Sequence, residues 1–173
     1  CRACEAIRVD VPAFAPNKTQ RRIVRRGDAV LQTEIGPSTF SYEKLAIYNR
    51  HKIERGLLTS DGLIDADGYQ QFLVDTCTDT FELTYRHGGK LIGVAIADRA
   101  ADALSAVYCF YDPSYASLSP GVYSILKQLE LCRAWGLPYL YLGLYVANCR
   151  SMAYKARYLP HERLIDGEWA RFT

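Results

Sequence analysis

The 173-residue chain is expected to fold as one α/β (α+β) domain, with a mixed, mostly antiparallel sheet of about five strands flanked by helices. Three stretches carry that expectation. Thr80 to His87 alternates apolar residues at Phe81, Leu83 and Tyr85, Gly88-Gly89 supplies a tight turn, and Leu91 to Asp98 returns as the partner strand. After a connection over Arg99 to Ala103, Leu104 to Tyr111 makes a third antiparallel strand. An amphipathic helix then leads to another apolar run, Tyr139 to Val146, and strand, crossover helix and strand in that order imply a right-handed parallel pair.

Ahead of this body, Ala6 to Val11 sets Ile7, Val9 and Val11 against Arg8 and Asp10, the alternation of a half-buried strand. Next comes a basic stretch, Pro16 to Arg26. Five basic residues (Lys18, Arg21, Arg22, Arg25 and Arg26) fall within nine positions, and no acid occurs between Asp10 and Asp28. A helix from Thr19 onward would gather the four arginines on one face, where a polyanion would relieve their repulsion. Ser41 caps and Gly56 stops a helix expected to bury Tyr42, Leu45 and Ile53, with Tyr48, and to carry Arg50 and His51. A shorter helix over Ala66 to Cys77 should bury Phe72 and Leu73.

The crossover helix begins at Ser119-Pro120-Gly121. Ser119 is the expected cap, and Pro120 sits in the first turn, where its missing N–H costs nothing. Val122, Ile125, Leu126, Leu129 and Cys132 share the inner face; Ser124, Lys127, Gln128 and Glu130 are assigned to the outside. Trp135-Gly136-Leu137-Pro138 ends the helix, and Tyr139 to Val146 reads as a strand buried on both faces. Ser151 to Tyr158 is expected to be a short helix, and the chain closes on Trp169.

A hydrophobic fraction of 49% with 23% charged residues describes a folded chain, and the net charge of +2 leaves nucleic-acid binding to charge distribution. No apolar run reaches the roughly 20 residues that span a bilayer, so a cytoplasmic chain with no membrane partner is expected. Of six cysteines only Cys1 and Cys4 have ligand-like spacing, half of a tetrahedral site. A Walker loop, a dinucleotide glycine fingerprint, Gly-x-Ser-x-Gly and His-Glu-x-x-His are all absent.

An antiparallel meander leading into a parallel β-α-β unit is the layout of GNAT-like acyltransferases. Acetyl-CoA users of that group usually carry a glycine-rich turn before the crossover helix, where this chain reads Ser117-Leu118-Ser119-Pro120-Gly121. That poor match and the arginine face together favour an aminoacyl-tRNA as acyl donor. Two other classes stay open: a CoA-dependent N-acetyltransferase and a non-catalytic tRNA-binding module.

The runs CRACEAIRVDVPAFAPNKTQRR, FYDPSYASLSPGVYSIL and GLPYLYLGLYVANCRSMAYKARYLP extend this reading. With them the chain resembles the aminoacyl-tRNA–protein transferases of the N-end rule pathway, arginyltransferases and bacterial Asp/Glu leucyltransferases. The resemblance implies transfer of Leu or Arg from charged tRNA to the α-amine of proteins beginning with Asp or Glu. The product is a degradation signal read by a downstream adaptor and protease. The family carries an upstream Cys-containing segment, so residues 1–28 are expected to be its remnant plus a basic tRNA-facing stretch. Cys1 and Cys4 would then belong to a zinc or Fe–S site of a longer protein, while transfer itself needs no cofactor.

Within this frame the expected roles are specific. Asp112 orients or deprotonates the acceptor amine, and Ser119 with the N–H groups at Gly121 and Val122 holds the ester carbonyl. Arg50, His51 or Lys155 reads the acidic acceptor, and Tyr123 and Tyr154 stack in the cleft. Lys18, Gln20, Arg21, Arg22, Arg25, Arg26 and Arg157 contact tRNA.

Overall fold

The computed structural model describes residues 3–58, 60 and 62–173. In chain order its elements are β1 (Glu5–Asp10), α1 (Lys18–Asp28), β2 (Leu31–Pro37), α2 (Tyr42–Glu54) and α3 (Ala66–Leu73). They continue as β3 (Asp79–His87), β4 (Lys90–Arg99), β5 (Ala103–Tyr111), α4 (Pro120–Ala134), β6 (Tyr139–Tyr145), α5 (Arg150–Ala153), β7 (His161–Ile165) and β8 (Glu168–Phe172). The eight strands of the described residues join one sheet in the order β2-β3-β4-β5-β6-β1-β7-β8. Among the described residues only β5 and β6 pair in parallel, and α4 connects them, so the arrangement is GNAT-like.

The five anticipated strands are present, and β2, β7 and β8 extend the sheet beyond them. β2 (LQTEIGP) is an edge strand whose apolar Ile35 is half exposed, so its alternation is blurred. The turn from β7 to β8 is Asp166-Gly167, both with positive φ (49° and 89°), a hairpin dipeptide legible in the chain itself.

Helices cover both faces. On one, α1 and α4 pack over a core that includes Leu83, Tyr85, Leu104, Leu126 and Leu129; on the other, Ile47, Tyr48, Tyr69 and Leu73 of α2 and α3 pack on Leu91, Val94 and Phe110. Several sequence-based burial assignments are reversed. Tyr42 is 77% exposed, and Ile53 and Phe72 are about half exposed, because α2 and α3 turn Lys44, Ile47, Tyr48, His51 and Tyr69 inward instead. Lys44 is buried against Glu82 of β3, so the inner face of α2 is partly ionic and does not follow an apolar stripe. The run in β6 alternates in burial and is not covered on both faces.

The α1 helix starts with a capping box. Asn17 Oδ1 accepts from the Gln20 N–H at 2.9 Å, and Gln20 Oε1 accepts from the Asn17 N–H at 2.8 Å. Ile23 and Gly27 face inward, and the Tyr123 ring of α4 lies directly over Gly27. A Cβ at Gly27 would overlap that ring. Gly27→Ala is therefore expected to destabilise the fold by about 1–3 kcal/mol, read as a lower denaturation midpoint with unchanged m-value.

Candidate active site

β5 meets β6 only through Ala103, Leu104 and Ser105, opposite Tyr139, Leu140 and Tyr141. Each strand then slips register against its outer neighbour. Ile96 and Ala97 of β4 face Tyr108 and Ala106 of β5, which leaves Val107 as an extra residue. Ala6 and Arg8 of β1 face Leu144 and Tyr141, so β6 also carries an extra residue, beside Gly143 at φ 76°. Bulges bend strands, and here both lie where the two strands part. A cavity of about 650 Å³ opens between them, walled by α4, the end of α2, α5 and the 3-10 turn Tyr154–Arg157.

The start of α4 opens into this cavity through Ser119, Gly121 and Val122. Ser119 does not act as the expected cap: its side chain makes no capping bond, and its backbone is left-handed at φ 56°. The preceding 3-10 turn, Pro113–Leu118, forces that conformation, since the Ser119 N–H closes onto the Ala116 carbonyl. First-turn N–H groups of α4 lack helical partners and point a positive dipole end at the cavity.

Asp112 is not placed as a base. It is 2% exposed and is not among the residues that line the cavity. Its carboxylate accepts from the Ser114 N–H and hydroxyl, and pairs with Arg50 at 3.1 Å and Lys90 at 3.2 Å. Burial alone would raise its pKa. The Ser114 bonds and the Lys90 and Arg50 charges outweigh burial and hold the carboxyl below its usual range. A carboxylate so satisfied is a weak proton acceptor; it ties the end of β5 to α2 and β4.

Of the three candidate cations for an acidic acceptor, only Lys155 faces the cavity as a free charge. Arg50 is held by Glu54 and Asp112 outside the cavity wall. His51 lines the cavity but is buried, and its Nδ1 lies 3.0 Å from the Tyr111 carbonyl. Desolvation, with help from the Arg55 and Lys52 charges, lowers its pKa and keeps it neutral near pH 7. Lys155 is half-buried, and its Nζ donates to the Leu144 carbonyl at 2.7 Å and touches Met152 Sδ. Burial lowers its pKa, and no carboxylate offsets that. Arg55 and Arg150, which sequence reasoning missed, also line the cavity, while no Asp or Glu does so among the described residues.

Tyr154 lines the cavity as expected. Tyr123 does not: it is 1% exposed on the opposite side of α4, where its hydroxyl donates to Asp28 at 2.8 Å, and burial pushes its pKa up to about 12. Lys18, Thr19, Arg21, Arg22 and Arg25 line a second, smaller hollow of about 480 Å³ on α1. Arg26 is exposed on the same helix, and Arg157 is exposed with its carbonyl facing Gln20 Nε2 at 3.5 Å. Gln20 itself is buried in the capping box, so its side chain is not a tRNA contact. Cys4 is exposed before β1 and Cys1 lies outside the described residues; among the described residues no three metal-ligating side chains gather. Likewise, no described helix is long and apolar enough to cross a membrane.

Ser124 and Gln128 were assigned to the outer face of α4, yet both are buried and line the cavity. Their i, i+4 spacing was the available signal, because it places two polar groups together between apolar Ile125 and Leu129. For Asp112 the structural role makes a clear expectation. Asp112→Asn should cost about 1–3 kcal/mol of stability at pH 7. The loss should fade as pH falls below about 4, because a depressed native pKa stabilises only above the unfolded value. Urea melts at pH 7 and pH 3 test this.

The chain is similar to known proteins along most of its length. Residues 43–165 match the family model described as arginine-tRNA-protein transferase, C terminus. A protein from Thiobacillus denitrificans described as an aspartate/glutamate leucyltransferase is 41% identical over 172 residues, covering 98% of this chain and 70% of that protein. One of the same description from Chromobacterium violaceum is 41% identical, covering 98% and 69%. Among solved structures, L-PGS from Bacillus licheniformis superposes with a TM-score of 0.63 at 14% identity over 89% of this chain and 49% of that one, which speaks to fold alone. With the family model over residues 43–165 and two relatives at 41% identity, the chain belongs to the arginine-tRNA-protein transferase family.

Proposed function

We propose that the protein transfers leucine from leucyl-tRNA to the α-amine of proteins that begin with Asp or Glu, and that the cavity between β5 and β6 is where transfer occurs. The carrying observation is electrostatic. Three cations (Arg55, Arg150 and Lys155) line the cavity with no carboxylate among the described residues. Such a site attracts an acidic acceptor side chain and disfavours the guanidinium of an arginyl donor. The relatives' names support the same choice of leucine.

The chemistry is ester aminolysis. The acceptor's neutral amine attacks the ester carbonyl, a C–N bond forms, and the bond from carbonyl carbon to the terminal ribose oxygen breaks. The amine's proton ends on that oxygen, and no electrons change hands. The cations lower the pKa of a nearby ammonium, so they favour the neutral, nucleophilic amine. The N–H groups at the start of α4 donate to the carbonyl oxygen as it gains charge. The ester is already activated, so transfer needs no cofactor, and the proposed role of Cys1 and Cys4 is half of a metal or cluster site apart from the chemistry. Lys155 reads the acceptor carboxylate. The α1 cations and Arg157 carry the tRNA backbone. The leucylated product is proposed to pass to an N-end rule adaptor and protease in the cytoplasm.

Incubation with labelled leucyl-tRNA, arginyl-tRNA or acetyl-CoA plus an Asp-starting peptide should yield leucyl-peptide only; acetyl-peptide or binding without transfer would sink the reading. Lys155→Met should raise KM for Asp- and Glu-starting peptides by about tenfold or more, with little change for leucyl-tRNA. Reversing Arg21 and Arg22 to Glu should weaken tRNA binding and lower its log–log salt slope by about two. An unchanged slope would make α1 a solvated face.

A further inference from the structure

Accepting leucyl transfer as the reaction of this cavity, we propose that Gln128 is the receptor for the donor's α-amino group and so discriminates an aminoacyl ester from a plain acyl ester. Gln128 is 2% exposed on α4 and lines the cavity, as do Ala106 and Leu142, which follow the last parallel pair of β5 and β6. Its Nε2 donates to Ser124 Oγ at 3.1 Å, whereas its Oε1 is buried without a hydrogen-bond partner. A buried amide oxygen left unpaired is destabilising in the free protein, and a ligand N–H would satisfy it.

The surroundings narrow the ligand. Ala106, Ile125 and Leu142 give the cavity an apolar wall suited to a branched aliphatic side chain. The lining also carries the cations Arg55, Arg150 and Lys155, the N–H groups at the start of α4, and hydroxyls of Ser and Tyr residues that both donate and accept. A donor amino acid brings two demands to such a place. Its ester carbonyl needs a donor, which α4 supplies, and its amino group needs an acceptor. Among the described residues, Gln128 is the one on the cavity wall with a buried side-chain oxygen that has no hydrogen-bond partner. Ser124, one turn earlier, accepts from Nε2 and engages that end of the amide.

The test compares two acyl donors on the same tRNA: leucyl-tRNA and 4-methylpentanoyl-tRNA, which differs only by loss of the amino group. The intact protein should prefer the leucyl donor by about ten- to hundredfold in kcat/KM. Gln128→Met, close in volume, should erase that preference while leaving affinity for uncharged tRNA unchanged. Gln128→Glu, which keeps an acceptor oxygen, should retain it. A preference that survives in Gln128→Met, or that is lost equally in Gln128→Glu, overturns the assignment alone. An intact protein that transfers neither acyl group overturns the leucyl-transfer reading, and this assignment with it.

Discussion

The three-residue contact between β5 and β6 is the constraint on which the functional face depends. Parallel pairing holds Ala103 to Ser105 against Tyr139 to Tyr141 and then stops, because both strands bulge at that level. The bulge at Val107 also exchanges the faces of β5. Leu104 and Ala106 look toward α4, whereas beyond it Cys109 takes that side, and Tyr108 and Phe110 turn to the α2 core. The residue inserted in β5 therefore turns Tyr108 and Phe110 into the α2 core, at the level where β5 and β6 part.

Charge is then distributed by purpose. Carboxylates are spent on structure: Glu82 with Lys44, Asp112 with Arg50 and Lys90, Glu162 with Arg8, and Asp28 with Tyr123 and Lys127. None of these carboxylates lines the cavity, and among the described residues no Asp or Glu stands beside its cations on the wall. An uncompensated half-buried lysine lowers stability, and an acidic substrate would offset that deficit. The exposed arginines of α1 are likewise without acidic neighbours on their own helix until Asp28.

How far the site was legible depended on whether a residue's role was local. The start of α4, the basic run of α1 and the Gly88-Gly89 hairpin were readable, because helix starts, turn dipeptides and clustered charge are short-range properties; Lys155 was one of three cations that the chain alone could not tell apart. Tyr123 was misplaced because α4 is covered on two sides, by α1 and by the sheet, so its buried arc is wider than one apolar stripe. The same breadth hid Ser124 and Gln128. Gln20 reads as one polar residue in a basic run until the capping box shows where its side chain goes. Asp112 reads as catalytic from its position at a strand end, and only its partners, from α2 and β4 as well as the adjacent turn, show it saturated.

By itself the sequence determined the meander, the crossover helix, the parallel pair and the cationic helix. Periodicity, turn residues and charge runs are encoded within one or two turns of chain. The resemblance of three long runs carried the family as well. Only the tertiary structure decided that the sheet has eight strands, that β5 and β6 part, and which polar groups remain unpaired. Those outcomes depend on register between strands far apart in sequence, and on whether a buried charge finds its partner. A carboxylate and an amide look equally available in the chain. In the fold Asp112 is fully engaged, while the oxygen of Gln128, a residue on the cavity wall, is buried without a hydrogen-bond partner.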